Sequence, residues 1–107
     1  MWISEALKQS FKDKENKMVE IIKSTDFSFI SIGVFGSYAR GEYKLTSDID
    51  VCIIVEHLPD RSIKGYLYEE ADMLGIDLVF LTEDYFNNDT SKFIKNIRRD
   101  FKEVYRC

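Results

Sequence analysis

The sequence predicts an α/β (α+β) fold, a mixed β-sheet of three to four strands packed against helices. Three runs rich in β-branched and aromatic residues, at 27–35, 48–56 and 76–82, read as strands. Segments with helical spacing of apolar residues precede, separate and follow them. The strand-helix-strand order from Asp48 to Leu81 calls for a right-handed crossover, which makes those two strands parallel.

At the start, Ile3, Leu7, Phe11, Met18 and Ile21/Ile22 recur at helical spacing among Lys, Glu and Asp, which predicts a long amphipathic helix over residues 4–24. The first strand, "FSFISIGVF", ends at Gly36. A short helical turn after Ser37 and the polar loop "EYKLTS" lead into the second strand, "DIDVCIIVE". "HLPD" breaks the chain there, with Asp60 as an N-cap. Ile63, Leu67, Ala71 and Leu74 stripe the next helix, which Gly75 closes. "IDLVFLT" is the third strand and "EDYFNND" a turn or short helix. Thr90 or Ser91 caps a last helix carrying Phe93, Ile94 and Ile97, and "FKEVYR" adds a short edge strand.

With 107 residues, 45% of them hydrophobic, and one proline, the chain reads as a single domain over residues 1–107 with one compact core. No apolar run approaches the roughly 20 residues that span a bilayer, and no signal-peptide pattern opens the sequence, so a cytoplasmic location is expected. Cys52 reads as a core residue and Cys107 as a terminal thiol, with no disulfide between them. The lone histidine, His57, reads as a loop residue. With no CxxC pair beside it, a structural zinc site has almost no support. A net charge of −4 weighs against general nucleic-acid binding. From Ser91 onward, however, six basic and two acidic residues give +4, leaving −8 on the first ninety. A solvated helix face is the favoured reading of that basic stretch, with a partner or a triphosphate as the other.

The chemistry gathers at "GSYARGEYKLTSDID". Two parallel strands start together, so Asp48 and Asp50 on one share a rim with Asp77 on the other. The Gly36–Ser37 turn reaches the same rim if the first strand runs antiparallel. Along a strand Asp48 and Asp50 point to one face, their Cα atoms roughly 6.5–7 Å apart. Two carboxylates that close raise each other's pKa unless a cation lies between them. An all-oxygen set suits Mg²⁺ or Mn²⁺, with Asp77 as a third carboxylate. A Gly-Ser turn brings backbone N–H groups near an anion, and Arg40 could grip a triphosphate in bidentate fashion or pair with Glu42. Each piece alone has a plain structural reading, and the convergence carries the case. Tyr66, Tyr68 and Met73 lie off their helix's main stripe, as secondary core or as a partner surface.

Gly36-Ser37, ten residues, then Asp48-x-Asp50 resembles the signature of the polymerase-β-like nucleotidyltransferase superfamily. The string from Val34 to Glu56 resembles the minimal nucleotidyltransferases (MNT) of HEPN/MNT toxin–antitoxin pairs. The resemblance implies that Gly36 and Ser37 bind the β- and γ-phosphates of ATP with help from Arg40, and that Asp48 and Asp50 hold Mg²⁺. Asp77 would be third metal ligand and acceptor-activating residue, with Asp72 or Asp84 as fallback. Tyr38 sits at a variable position and receives no role. The implied function is transfer of AMP to a tyrosine hydroxyl of a cognate HEPN toxin, making this chain an antitoxin. Two alternatives stand beside it: an antitoxin that acts by binding alone, and a small-molecule nucleotidyltransferase whose pocket a dimer partner completes. A homodimer and a hetero-oligomer with the toxin both stay open.

Overall fold

The computed structural model describes residues 4–107, so Ile3, first of the predicted helical stripe, lies outside the described residues. Helix α1 (Glu5–Lys23) starts where the Ser4 hydroxyl accepts a hydrogen bond from the Leu7 amide at 3.1 Å, and ends at Ser24. The chain continues through β1 (Ser31–Phe35), the one-turn helix α2 (Gly36–Ala39), β2 (Ile49–Val55) and α3 (Arg61–Met73). Then follow β3 (Ile76–Thr82), α4 (Glu83–Asn88), α5 (Lys92–Asp100) and β4 (Lys102–Arg106). The caps are the predicted ones. Asp60 accepts from the Ile63 amide, Ser91 from the Ile94 amide, and Gly75 closes α3 in the left-handed region at φ 70°.

Among the described residues the strands form one sheet in the order β3-β2-β1-β4. β2 and β3 are parallel, joined by α3, whereas β1 runs antiparallel to both β2 and β4. Phe11, Met18 and Ile22 of α1 and Leu67 and Ala71 of α3 cover one face, against Ile49, Val51, Ile53 and Val55. On the other face Ile94 and Ile97 of α5 pack on Cys52, Ile54 and Leu81. β2 is therefore buried on both faces, as a continuous apolar run in a parallel pairing requires. Gly33 has no side chain because the Phe101 ring fills that space, next to a register shift between β1 and β4.

One expectation changes. The first strand begins at Ser31 rather than residue 27. The Ile30 amide still donates to the Ile54 carbonyl at 2.7 Å, but β2 then leaves the sheet, and residues 27–29 have no partner strand. Phe27 and Phe29 instead pack ring against ring, 5.4 Å between centroids. On the last helix Phe93 is 57% exposed, because Ile94 and Ile97 already occupy the side of α5 that meets the sheet. Tyr66, Tyr68 and Met73 are likewise exposed, and His57 lies in the loop after β2. Cys52 is fully buried and Cys107 exposed, both free thiols. No helix among the described residues is long and apolar enough to cross a membrane.

Candidate active site

Strand register builds the site. Phe35 of β1 opposes Asp50 of β2, and Asp50 opposes Asp77 of β3, so one line of residues crosses the end of the sheet. Asp50 and Asp77 lie on the α5 side, since Cys52 and Leu81, an even number of residues further along each strand, are buried there. Asp48 stands one residue before β2 and is exposed, as is Asp77, whereas Asp50 is half-buried.

Beyond Phe35 the chain turns at Gly36, with φ 73°, straight into α2. A methyl group at Gly36 would collide with the Asp50 carboxylate. Glycine is needed there twice, for the backbone angle and for the room. The Gly36–Ser37 turn thus touches the central carboxylate, and no side chain caps the amino end of α2.

The electrostatics follow from this crowding. Burial, then the charges of Asp77 and Asp48, push the Asp50 carboxyl up to about 6, while Arg40 offsets part of the rise. Arg40 follows α2 and is held by two carboxylates, Glu42 and Asp100, each at 2.6 Å. Asp100, at the end of α5, also accepts from Arg99 at 3.0 Å. The Arg40–Glu42 pairing considered from sequence is present, and Asp100 is a second partner that sequence reasoning missed.

The donor chemistry fits a hard divalent cation: three aspartates, all oxygen, around a carboxyl whose neighbours penalise its charge. As they stand, no three acidic, histidine or cysteine side chains among the described residues are gathered closely enough to hold an ion. The fallback acids are placed differently. Asp84 accepts from Asn88 at 2.8 Å in α4, beyond the far end of β3. Asp72 is exposed in the last turn of α3, the helix that covers the opposite face of the sheet.

Residues 2–104 match the model of the nucleotidyltransferase domain. The chain belongs to that family. A provisionally named protein adenylyltransferase of Methanocaldococcus jannaschii is 44% identical over 82 residues, 72% of this chain and 83% of the relative. Protein adenylyltransferase MntA of Thermococcus cleftensis is 45% identical over 56 residues, 50% of this chain and 57% of that protein. Among solved structures, this nucleotidyltransferase domain resembles a chain from the complex of the tri-AMPylated Shewanella oneidensis HEPN toxin with its MNT antitoxin. The TM-score is 0.59 at 18% identity, over 90% of this chain and 72% of that one, a likeness of fold.

A second polar residue of the domain escaped sequence reasoning. Glu15 sits in the α1 stripe between Phe11 and Met18, buried, where the Tyr38 hydroxyl donates to it at 2.9 Å and Lys12 at 2.7 Å. The available signal was the gap in the apolar stripe at that position.

Proposed function

We propose that the protein transfers AMP from ATP to a tyrosine hydroxyl of a cognate HEPN-family toxin, and so acts as its antitoxin. One observation carries the reading: the Gly36 turn lies against Asp50, and Asp77 neighbours Asp50 in register. The naming of relatives as protein adenylyltransferases, and the AMPylated toxin in a complex that holds a chain of similar fold, support it.

In this reading Gly36 and Ser37 hold the β- and γ-phosphates, and Arg40 steadies them. Asp48, Asp50 and Asp77 would hold Mg²⁺, which when bound would supply charge neutralisation at the phosphates and a lower pKa at the attacking hydroxyl. Asp77 orients the acceptor hydroxyl for in-line attack on the α-phosphorus. The new O–P bond forms as the bond to pyrophosphate breaks, and the hydroxyl proton passes to the Asp77 carboxylate. Asp48 and Asp77 are exposed, and a rim open to solvent there suits a tyrosine offered by a partner better than a small molecule that needs enclosure.

The test incubates the protein with α-labelled ATP and Mg²⁺, with and without the product of the neighbouring gene. Label should appear on that product and vanish with Asp48→Asn. Label on RNA or a small alcohol alone would refute the toxin as acceptor. Tight binding that silences the toxin without any label would refute catalysis and favour the binding-only antitoxin.

A further inference from the structure

Glu15 is a carboxylate in the middle of a buried apolar stripe, only 4% exposed, and the chemistry described so far gives it no task. Both of its oxygens are engaged. Oε1 accepts from the Tyr38 hydroxyl, 23 residues away in sequence, and Oε2 accepts from Lys12. An apolar side chain of similar volume would complete the stripe. Lys12 is 54% exposed, so its pairing with Glu15 contributes little, and one hydrogen bond from Tyr38 is a modest gain against the cost of burying a carboxylate. Stability therefore gives little reason for a carboxylate at this place, and specification of a geometry gives a better one.

The geometry it can specify is that of α2. This helix has a single turn, too short to hold its own shape by internal hydrogen bonds. What holds it is the grip on its side chains and on the residue that ends it. Ala39 is buried in the core, and Arg40 is tied to Asp100 of α5 on one side of the sheet. On the other side Tyr38 leans on Phe11 and Tyr43, with centroids 5.9 and 5.0 Å away. Aromatic packing leaves a ring free to slide or tilt, whereas the hydrogen bond to Glu15 sets where its hydroxyl end must lie. Burial and the Glu15 carboxylate hold the phenol far above its ordinary pKa, so it stays a donor across the working pH range. Tyr38 is joined by one peptide bond to Ser37, and Gly36 touches Asp50.

We infer that Glu15 is a positioning residue for nucleotide transfer: through the Tyr38 hydroxyl, α1 sets the attitude of the Gly36–Ser37 turn against Asp50. The inference rests on the proposed function for what the turn holds, and on the structure alone for what holds the turn. It assigns work to the Glu15–Tyr38 pair, which is outside the proposed phosphate- and metal-binding residues, at a position where the sequence motif itself is silent.

The test compares Tyr38→Phe, Glu15→Met and Glu15→Gln with the wild-type chain by ATP KM, kcat, melting temperature and amide hydrogen exchange of residues 36–39. Tyr38→Phe and Glu15→Met should each lower kcat/KM for ATP roughly tenfold, mostly through KM, because a shifted turn misplaces the triphosphate. Glu15→Met leaves the Tyr38 hydroxyl without its acceptor, so it should melt only slightly below wild type and stay fully folded at the assay temperature. Glu15→Gln keeps an acceptor for the phenol and should retain most of the activity. Joining Tyr38→Phe to Glu15→Met should cost no more than either alone, since both cut one connection. Exchange at residues 36–39 should rise in Tyr38→Phe and Glu15→Met, with core amides of β2 unchanged. Wild-type kcat/KM in Glu15→Met would overturn the inference, as would losses that only track melting temperature across the set. If the wild-type chain takes up no ATP, the proposed function falls, and exchange still decides: unchanged protection of residues 36–39 in Glu15→Met refutes the positioning role.

Discussion

Asp50 is the residue on which the site's energetics turn. Its folded-state pKa, about 6, lies above the ordinary carboxyl value of 3.8. The folded chain therefore binds the proton more tightly than the unfolded one. The stability that this proton contributes is fully present below about pH 4 and is lost as pH rises through about 6. In EDTA, Asp50→Asn should remove that part of the pH slope. It should melt at or above wild type at pH 7.5, by on the order of 1 kcal/mol after allowance for solvent screening. Mg²⁺ should raise the wild-type melting temperature at pH 7.5 and leave Asp50→Asn unmoved. A variant that melts well below wild type in EDTA would give Asp50 a structural role instead. Gly36 and Gly75 form a matched pair for a second comparison. Both have positive φ, but a methyl group meets nothing at Gly75 and meets the Asp50 carboxylate at Gly36. Gly75→Ala should cost about 1 kcal/mol by thermal or urea melts, whereas Gly36→Ala should cost more and stop transfer as well.

Among elements, the parallel pairing of β2 and β3 matters most, because its register sets Asp77 beside Asp50. α3 makes the crossover, Asp60 and Gly75 fix its two ends, and β3 then enters the sheet at Ile76 opposite Ile49. Asp77→Ala should lower kcat at least 100-fold while ATP affinity, read by calorimetry, stays within a few-fold. Asp84→Ala should keep transfer within about twofold, since that acid lies past the other end of β3, in a helix turn with Asn88. Loss of turnover in Asp84→Ala with survival in Asp77→Ala would mean that the third acid had been misassigned. Ser37→Ala should raise KM for ATP with little change in melting temperature, because its hydroxyl lies on a half-exposed turn outside both hydrophobic clusters.

The whole molecule is a sheet buried on both faces, and this decides which surfaces remain for other molecules. The two surfaces weighed from sequence as partner contacts lie apart: α5 and the edge strand β4 carry the basic stretch from Lys92 to Arg106, and α3, on the face of the sheet opposite α5, carries Tyr66 and Met73. Part of the basic stretch is already engaged. Arg98 donates to the carbonyls of Phe86 and Asp89, Arg99 to Asp100, and Arg106 to Glu103. The enclosure of β2 also separates the two thiols. Burial pushes the Cys52 thiol up to about 12, whereas Cys107 is exposed. A thiol reagent should modify Cys107 alone in the native chain. In Cys107→Ala, reaction at Cys52 should require denaturant, so its rate reports global opening of the sheet. Rapid labelling of Cys52 in native buffer would contradict a β2 covered on both faces.

Much of this architecture was written locally. Ser4, Asp60 and Ser91 announce helix starts because a side-chain oxygen next to free amides needs no distant partner. β3 runs over the predicted residues because its apolar run is bounded by Gly75 and by Thr82, which caps α4. The Gly36–Ser37 turn and the Asp48-x-Asp50 pair were visible because their spacing lies within one short segment. The start of β1 was not, since Phe27 and Phe29 have strand character and lack only a neighbour, β2 having already left the sheet. Nor was the grip on α2: Glu15 lies 23 residues from Tyr38, and Asp100 lies 60 from Arg40. A charged side chain in a helical stripe, or an arginine after a turn, finds its partner only when the chain brings distant elements together. Backbone preference and capping act over one to four residues and can be read along the chain, whereas burial and ion pairing depend on which helix covers which face.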